Sequence, residues 1–205
     1  MIHCFGNSHI NTFSNCDNMS YVSNNDLFKL YHLGPTIAYN FFEHHYPNVV
    51  SMLHDINVKT DYVTLVVGEV DCRLHIPKQA DLKKVSDKVI VDECVARLFR
   101  CYSHLQELGV QCLVYSTHPT TSYICPDNKE YIYDTMKRRN NICVLWNDKC
   151  KSLCLEKNIP FISFYNKLVN ENNETNMDHF LDYCHLKSSM IYPTILAETI
   201  KVIHD

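Results

Sequence analysis

Two kinds of segment are missing from this sequence. No apolar run approaches the roughly 18 residues that a bilayer span requires, and the first residues lack the basic-then-apolar order of a secretory signal. A membrane partner is therefore not expected, and the chain reads as intracellular. Nor is there a long basic block: Lys137-Arg138-Arg139 is the one basic run, and the formal net charge is -4. Phosphate binding rests on clustered Lys and Arg that release counterions, so nucleic acid is not an expected partner. The short run reads instead as the solvated face of a helix. Glycine and alanine are scarce, four of each, beside abundant Asn, Tyr, Lys and Ile. That bias carries the mark of an AT-rich genome, such as that of a large DNA virus, and not of a function. It leaves Gly6, Gly34, Gly68 and Gly109 each in need of a local reason.

What is present suffices for one core. With 205 residues, 46% of them hydrophobic and 11% aromatic, a single domain over 1–205 can be buried without metals or staples. The eleven cysteines are odd in number and lie within apolar patterns (Cys4, Cys94, Cys101, Cys112, Cys143), which points to reduced core residues and not to a disulfide scaffold. Cys150, Cys154, Cys184 and His185 could supply four zinc ligands. However, Cys150 and Cys154 stand four apart on a helical pattern, which is what core packing requires, and paired Cys-x-x-Cys knuckles do not occur. No metal and no cofactor is expected. The sequons at Asn18 and Asn173 carry little weight in so Asn-rich a chain.

Short apolar runs alternate with helical segments. "IHCF" is followed by "PTIAYNFFEHHY", "VVSML" and "YVTLVVG", then by a long helix from about Leu82 to Leu108 that Gly109 ends. "CLVYS", a helix through "YIYDTMKRRNNICVLWNDKCKSLCLEK", "PFISFY" and a last helix in "SSMIYPTILAETIKVI" complete the chain. Such alternation predicts an α/β chain of three layers, α/β/α: a flavodoxin-like, doubly wound sheet of about five mostly parallel strands. Pro193 should kink the last helix or delay its start. The polar, aperiodic "NENNETNMD" reads as a mobile loop, able to act as a lid.

In doubly wound sheets ligands bind beyond the carboxyl ends of the strands. Gly6 closes the first strand and is followed by Asn7, Ser8 and His9. Gly68 closes the central strand and leads into Glu69, Asp71, Arg73 and His75. Near the far end Asp182 precedes His185 by three residues. A carboxylate that accepts from one imidazole nitrogen leaves the other free to take a proton from a nucleophile, so Ser8, Asp182 and His185 can build a hydrolytic triad. His9 can touch substrate or cap the turn after it. His118 falls at the rim.

Taken together, "FGNSH", "LGP" with Gly34, "GEVD" and "DYCHL" resemble, in order and spacing, the sequence blocks of the SGNH (GDSL-type) hydrolase superfamily. The resemblance spans nearly the whole chain. It implies Ser8 as nucleophile, His185 as base, Asp182 as its orienting carboxylate, and the Ser8 and Gly34 backbone N–H groups as an oxyanion hole. Two positions depart from the family pattern. Asn7 stands where the family has Asp, and Val70 stands where it has the Asn that donates to the oxyanion.

Three functions fit. The first is a serine-dependent hydrolase of a small polar acyl ester, for example an O-acetylated sugar. The second is an O-acyltransferase that modifies a glycan with the same triad. The third is a non-catalytic binding domain that kept the fold. If the extended backbone continues past Gly68, Glu69, Asp71 and Arg73 share one face at the site. Arg73 then either replaces the missing oxyanion donor or holds the loop by an ion pair with Glu69 or Asp71. The sequence leaves no mark of the acyl group, the alcohol or the oligomeric state.

Overall fold

The computed structural model describes residues 1–19, 21, 26–122 and 132–204. Four strands, β1 (Ile2–Gly6), β2 (Phe28–His32), β3 (Tyr62–Val66) and β4 (Gln111–Cys112), form a sheet in the order β2-β1-β3-β4, and β5 (Val114–Tyr115) pairs with β6 (Phe161–Ile162). Every described strand pair is parallel. Only Leu113 separates β4 from β5, and its N–H reaches the Val63 carbonyl at 3.0 Å. The chain therefore runs across both small sheets as one interrupted strand, which gives the flavodoxin-like order with its switch point between β1 and β3.

Side-chain alternation along β1 divides the core. Phe5 points to one face, where it joins residues of α1 (Phe41–His44), α2 (Tyr46–Met52), α3 (Ile76–Lys83), α4 (Asp87–Glu107) and α5 (Met136–Lys157). Ile2 and Cys4 point to the other, where they meet Phe13, Leu113 and the Ile191 and Ile195 side chains of α6 (Ser188–His204). This is the period-2 geometry of a strand buried on both sides. Across the first face, the Tyr102 hydroxyl of α4 accepts from the Leu65 N–H of β3 at 2.9 Å. No helix among the described residues is long and apolar enough to cross a membrane.

Several boundaries differ from the sequence reading. The segment from Leu82 to Leu108 is not one helix: Lys84 takes a left-handed conformation (φ 56) after α3, and α4 starts afresh behind Ser86. Its far end is as expected, with Gly109 at φ +79. "VVSML" belongs largely to α2, which begins with Pro47 in its first turn; a five-residue apolar run cannot by itself distinguish helix from strand. "FKLYH" forms the edge strand β2, whose half-exposed side chains hide its alternation. The helix expected from Tyr131 begins at Met136, capped by the Thr135 hydroxyl; Tyr131 lies outside the described residues. Pro193 does not delay α6, which starts at Ser188.

The basic run is a solvated face only at Lys137. Arg138 bridges Asp81, Asp87 and Asp134 at 2.6–2.8 Å. Arg139 is buried and donates to the Thr120 hydroxyl and the Thr121 carbonyl. "NENNETNMD" is likewise tied down: Asn140 donates to the Asn173 carbonyl, the Tyr165 hydroxyl donates to Asn173 Oδ1, and Thr175 bonds the Thr120 carbonyl. Asn and Thr side chains that satisfy backbone groups leave no hydrophobic periodicity to read.

Candidate active site

The end of β1 is forced into close contact with β3. Gly6 pairs with Val66, and a Cβ at Gly6 would lie 2.2 Å from the Val66 carbonyl oxygen, so only glycine fits. Asn7 then leaves the strand, and its Oδ1 caps the following 3-10 turn, Ser8–Phe13, by accepting from the His9 N–H at 3.1 Å. Its Nδ2 donates to the Thr36 carbonyl at 3.3 Å, while Leu33 N–H donates to the Gly6 carbonyl at 2.8 Å. These two bonds bracket Gly34 (φ +79) and tie its loop to the end of β1 and to Asn7. Asn7 thus supplies the capping acceptor that an Asp would, without its charge.

The opposite wall comes from the loop before α6. A backbone bridge between Phe180 and Leu186 closes this loop, and Leu181 N–H donates to the His185 carbonyl at 2.8 Å. Inside it, Asp182 Oδ1 accepts from the N–H groups of Cys184 and His185, both at 2.8 Å, and Oδ2 accepts from His185 Nδ1 at 2.7 Å. Burial pulls the Asp182 carboxyl upward, but the His185 hydrogen bond and the two backbone donors outweigh it and hold the group well below the usual range. A carboxylate that only accepts fixes the proton on Nδ1. The lone pair of His185 Nε2 therefore faces the Ser8 hydroxyl, 2.8 Å away.

Behind Ser8 lies a second polar line. Past Gly68 (φ +120) the backbone does not stay extended: the Cys72 N–H returns to the Gly68 carbonyl at 2.8 Å, and Asp71–His75 forms a wide helical turn that leads into α3. Glu69, Asp71 and Arg73 therefore do not share a strand face. Glu69 and Arg73 meet across the turn, with Arg73 Nε donating to Oε1 at 2.7 Å and Nη2 to Oε2 at 3.2 Å. Glu69 Oε2 also lies 2.8 Å from His9 Nε2, and His9 Nδ1 lies 3.2 Å from His118 Nε2. His118 Nδ1 reaches the Pro119 carbonyl at 2.9 Å. Burial works to raise the Glu69 carboxyl, but Arg73 and His9 hold it well below its ordinary value. Burial drives the His118 pKa down to about 4.

Of the residues singled out by sequence, the fold brings Ser8, His185 and Asp182 into hydrogen-bond contact and ties the Gly34 loop to Gly6 and Asn7, which precede Ser8. Asn7 supports that loop. Asp71 is fully buried, and its Oδ2 accepts from the Ala38 N–H at 2.9 Å, so it anchors the Gly34 loop from beneath. Arg73 is bound to Glu69 and lies over the Tyr183 ring, 5.7 Å from its centroid. The His118–His9 contact was not foreseen; the one sequence signal was the His-Pro pair after β5, whose carbonyl orients the His118 ring. Among the described residues, His9, Cys184 and His185 bring possible metal ligands within 4.8 Å of one another. Both nitrogens of each ring already have partners and burial raises the Cys184 thiol, so metal binding would have to dismantle existing bonds. Cys150 and Cys154 lie apart from this cluster, in the helical core.

No protein-family model and no curated protein sequence matches the chain. Solved structures do. A GDSL-like lipase from Bacteroides thetaiotaomicron superimposes with a TM-score of 0.64 at 15% identity, covering 99% of this chain and 87% of that one. The aryl esterase of M. smegmatis gives 0.57 at 11% identity, covering 98% of each chain. An acetyl xylan esterase gives 0.55 at 16% identity, with 96% of this chain and 98% of the other covered. The chain has the α/β fold of the SGNH (GDSL-type) hydrolases over essentially its whole length.

Proposed function

We propose that this chain, on its SGNH-type fold, is a serine-dependent hydrolase of a small polar acyl ester, for example an O-acetylated sugar. One observation carries the reading: the unbroken line from Asp182 through His185 to Ser8, with bonds of 2.7 and 2.8 Å. A domain that had lost catalysis would have no reason to keep a serine hydroxyl aimed at an oriented imidazole nitrogen.

The mechanism follows from those atoms. Ser8 Oγ attacks the ester carbonyl carbon as its proton passes to His185 Nε2, and Asp182 stabilises the imidazolium through Nδ1–H. The carbonyl oxygen becomes an oxyanion that the Ser8 and Gly34 N–H groups receive. Collapse breaks the bond to the alcohol, whose oxygen takes the proton from His185. Water then attacks the acyl-serine by the same route in reverse and releases the acid.

A fluorophosphonate probe tests the reading, because it reacts only with an activated serine. Labelling of the folded protein that disappears in Ser8→Ala is expected; no labelling of folded wild type would overturn the proposal. With short and long chromogenic esters, the short ones should turn over faster. Free acid as the sole product in the presence of a sugar acceptor separates hydrolysis from acyl transfer.

A further inference from the structure

We infer that His9 is held as an imidazolium, with a proton on each ring nitrogen, and that it acts on the reaction as a positioning residue whose charge faces His185. Its consequence rests on the hydrolase reading; its protonation state does not. The argument is a count of donors along the line behind Ser8. The Pro119 carbonyl can only accept, so His118 Nδ1 carries a proton. His118, buried and pushed down to about 4, is neutral near pH 7, so its Nε2 is a lone pair. His9 Nδ1 must then donate across the 3.2 Å contact. At the other end Glu69 is an acceptor, already bound twice by Arg73. His9 Nε2 must donate across 2.8 Å as well.

Burial outweighs the attraction of Glu69 and lowers the His9 pKa below its ordinary value. Losing either proton, however, would set two lone pairs face to face in a site where His9, Glu69 and His118 are all shielded from water. A buried contact left without a proton is costly, whereas the imidazolium is paired with Glu69 and bonded at both ends. The groups facing His9 are Glu69 and Arg73 from the turn after Gly68, His118 from the segment after β5, and His185 with Asp182 and Cys184 from the loop before α6. Glu69, Arg73 and His9 together carry a net charge of one positive unit. The His9 and His185 ring centroids are 5.0 Å apart. The like charge opposes protonation of the resting base, and it favours delivery of the proton to the leaving alcohol. It also places a positive field beside the nucleophile, where Val70 offers no amide.

The test is ¹⁵N NMR of the imidazole nitrogens of wild-type protein at pH 7.5, the His9 signals being those lost in His9→Gln. Two N–H-type nitrogens on His9 are expected. In ester assays, the acidic limb of kcat/KM in His9→Gln should move to higher pH by about one unit, from loss of a like charge at this distance. A His9 ring with a single proton, or a His9→Gln profile that superimposes on wild type, would overturn the inference. Wild-type protein inert to both esters and fluorophosphonate would instead remove the hydrolase reading, while the NMR measurement would still decide the protonation of His9.

Discussion

Asp182 and Arg73 are both ion-paired residues, but replacing them should have opposite signatures. Asp182 accepts three hydrogen bonds, one of them from the base. Asn in its place can present an N–H to His185 Nδ1, which selects the wrong tautomer and takes the lone pair away from Ser8. Turnover in Asp182→Asn should fall by about 10⁴-fold, as in comparable triads, with the melting temperature nearly unchanged; a near-normal rate would remove Asp182 from the mechanism. Arg73, by contrast, holds the buried Glu69 through two nitrogens. Arg73→Ala leaves that carboxylate with His9 alone and should cost about 3–5 kcal/mol of stability, measured by denaturant unfolding, while the fraction still folded loses less than about tenfold in turnover. If Arg73 instead served the oxyanion, kcat would drop a hundredfold or more without loss of stability.

Asp71 couples two elements, because it sits in the turn leading to α3 and bonds the backbone that follows the Gly34 loop. Burial raises its pKa to about 7, against the pull of the Ala38 and Tyr39 N–H groups. A carboxyl raised in the folded state contributes stability that is complete below its unfolded pKa, about 4, and that is lost as pH rises through 7. Unfolding free energy should therefore decline between pH 4 and pH 8. Asp71→Asn keeps an acceptor for Ala38 and cannot ionise, so a pH series of denaturant melts should be flatter for this variant; an unchanged slope would assign the dependence elsewhere. The turn itself depends on Gly68, where φ is +120 and an added Cβ would lie 2.7 Å from the Trp146 ring of α5.

For the whole molecule, the cysteines report how completely the layers close. Cys94, Cys101, Cys112, Cys150 and Cys154 are buried free thiols, and burial raises the pKa of each. Cys16 is partly exposed. Brief alkylation followed by peptide mass mapping should modify Cys16 under native conditions and the core thiols only in denaturant. Fast native labelling of Cys150 or Cys154 would mean that α5 opens locally from the sheet.

The sequence by itself determined the alternation of strands and helices, the parallel sheet and the four short blocks where polar residues follow a strand or precede a helix. These are local signals: apolar runs, glycines that end strands, and an Asp three residues before a His. It did not determine the split between α3 and α4, the helix at "VVSML", the edge strand β2 or the turn that replaced an extended segment after Gly68. Each of those depends on a backbone conformation or a neighbour that comes from elsewhere in the chain. The same holds within the site. Ser8, Asp182 and His185 could be named one by one, but the line from Arg73 through Glu69 and His9 to His118 joins residues as many as 109 positions apart. Its proton count follows only from which carbonyl and which carboxylate close its ends, and only the packing of the tertiary structure decides that.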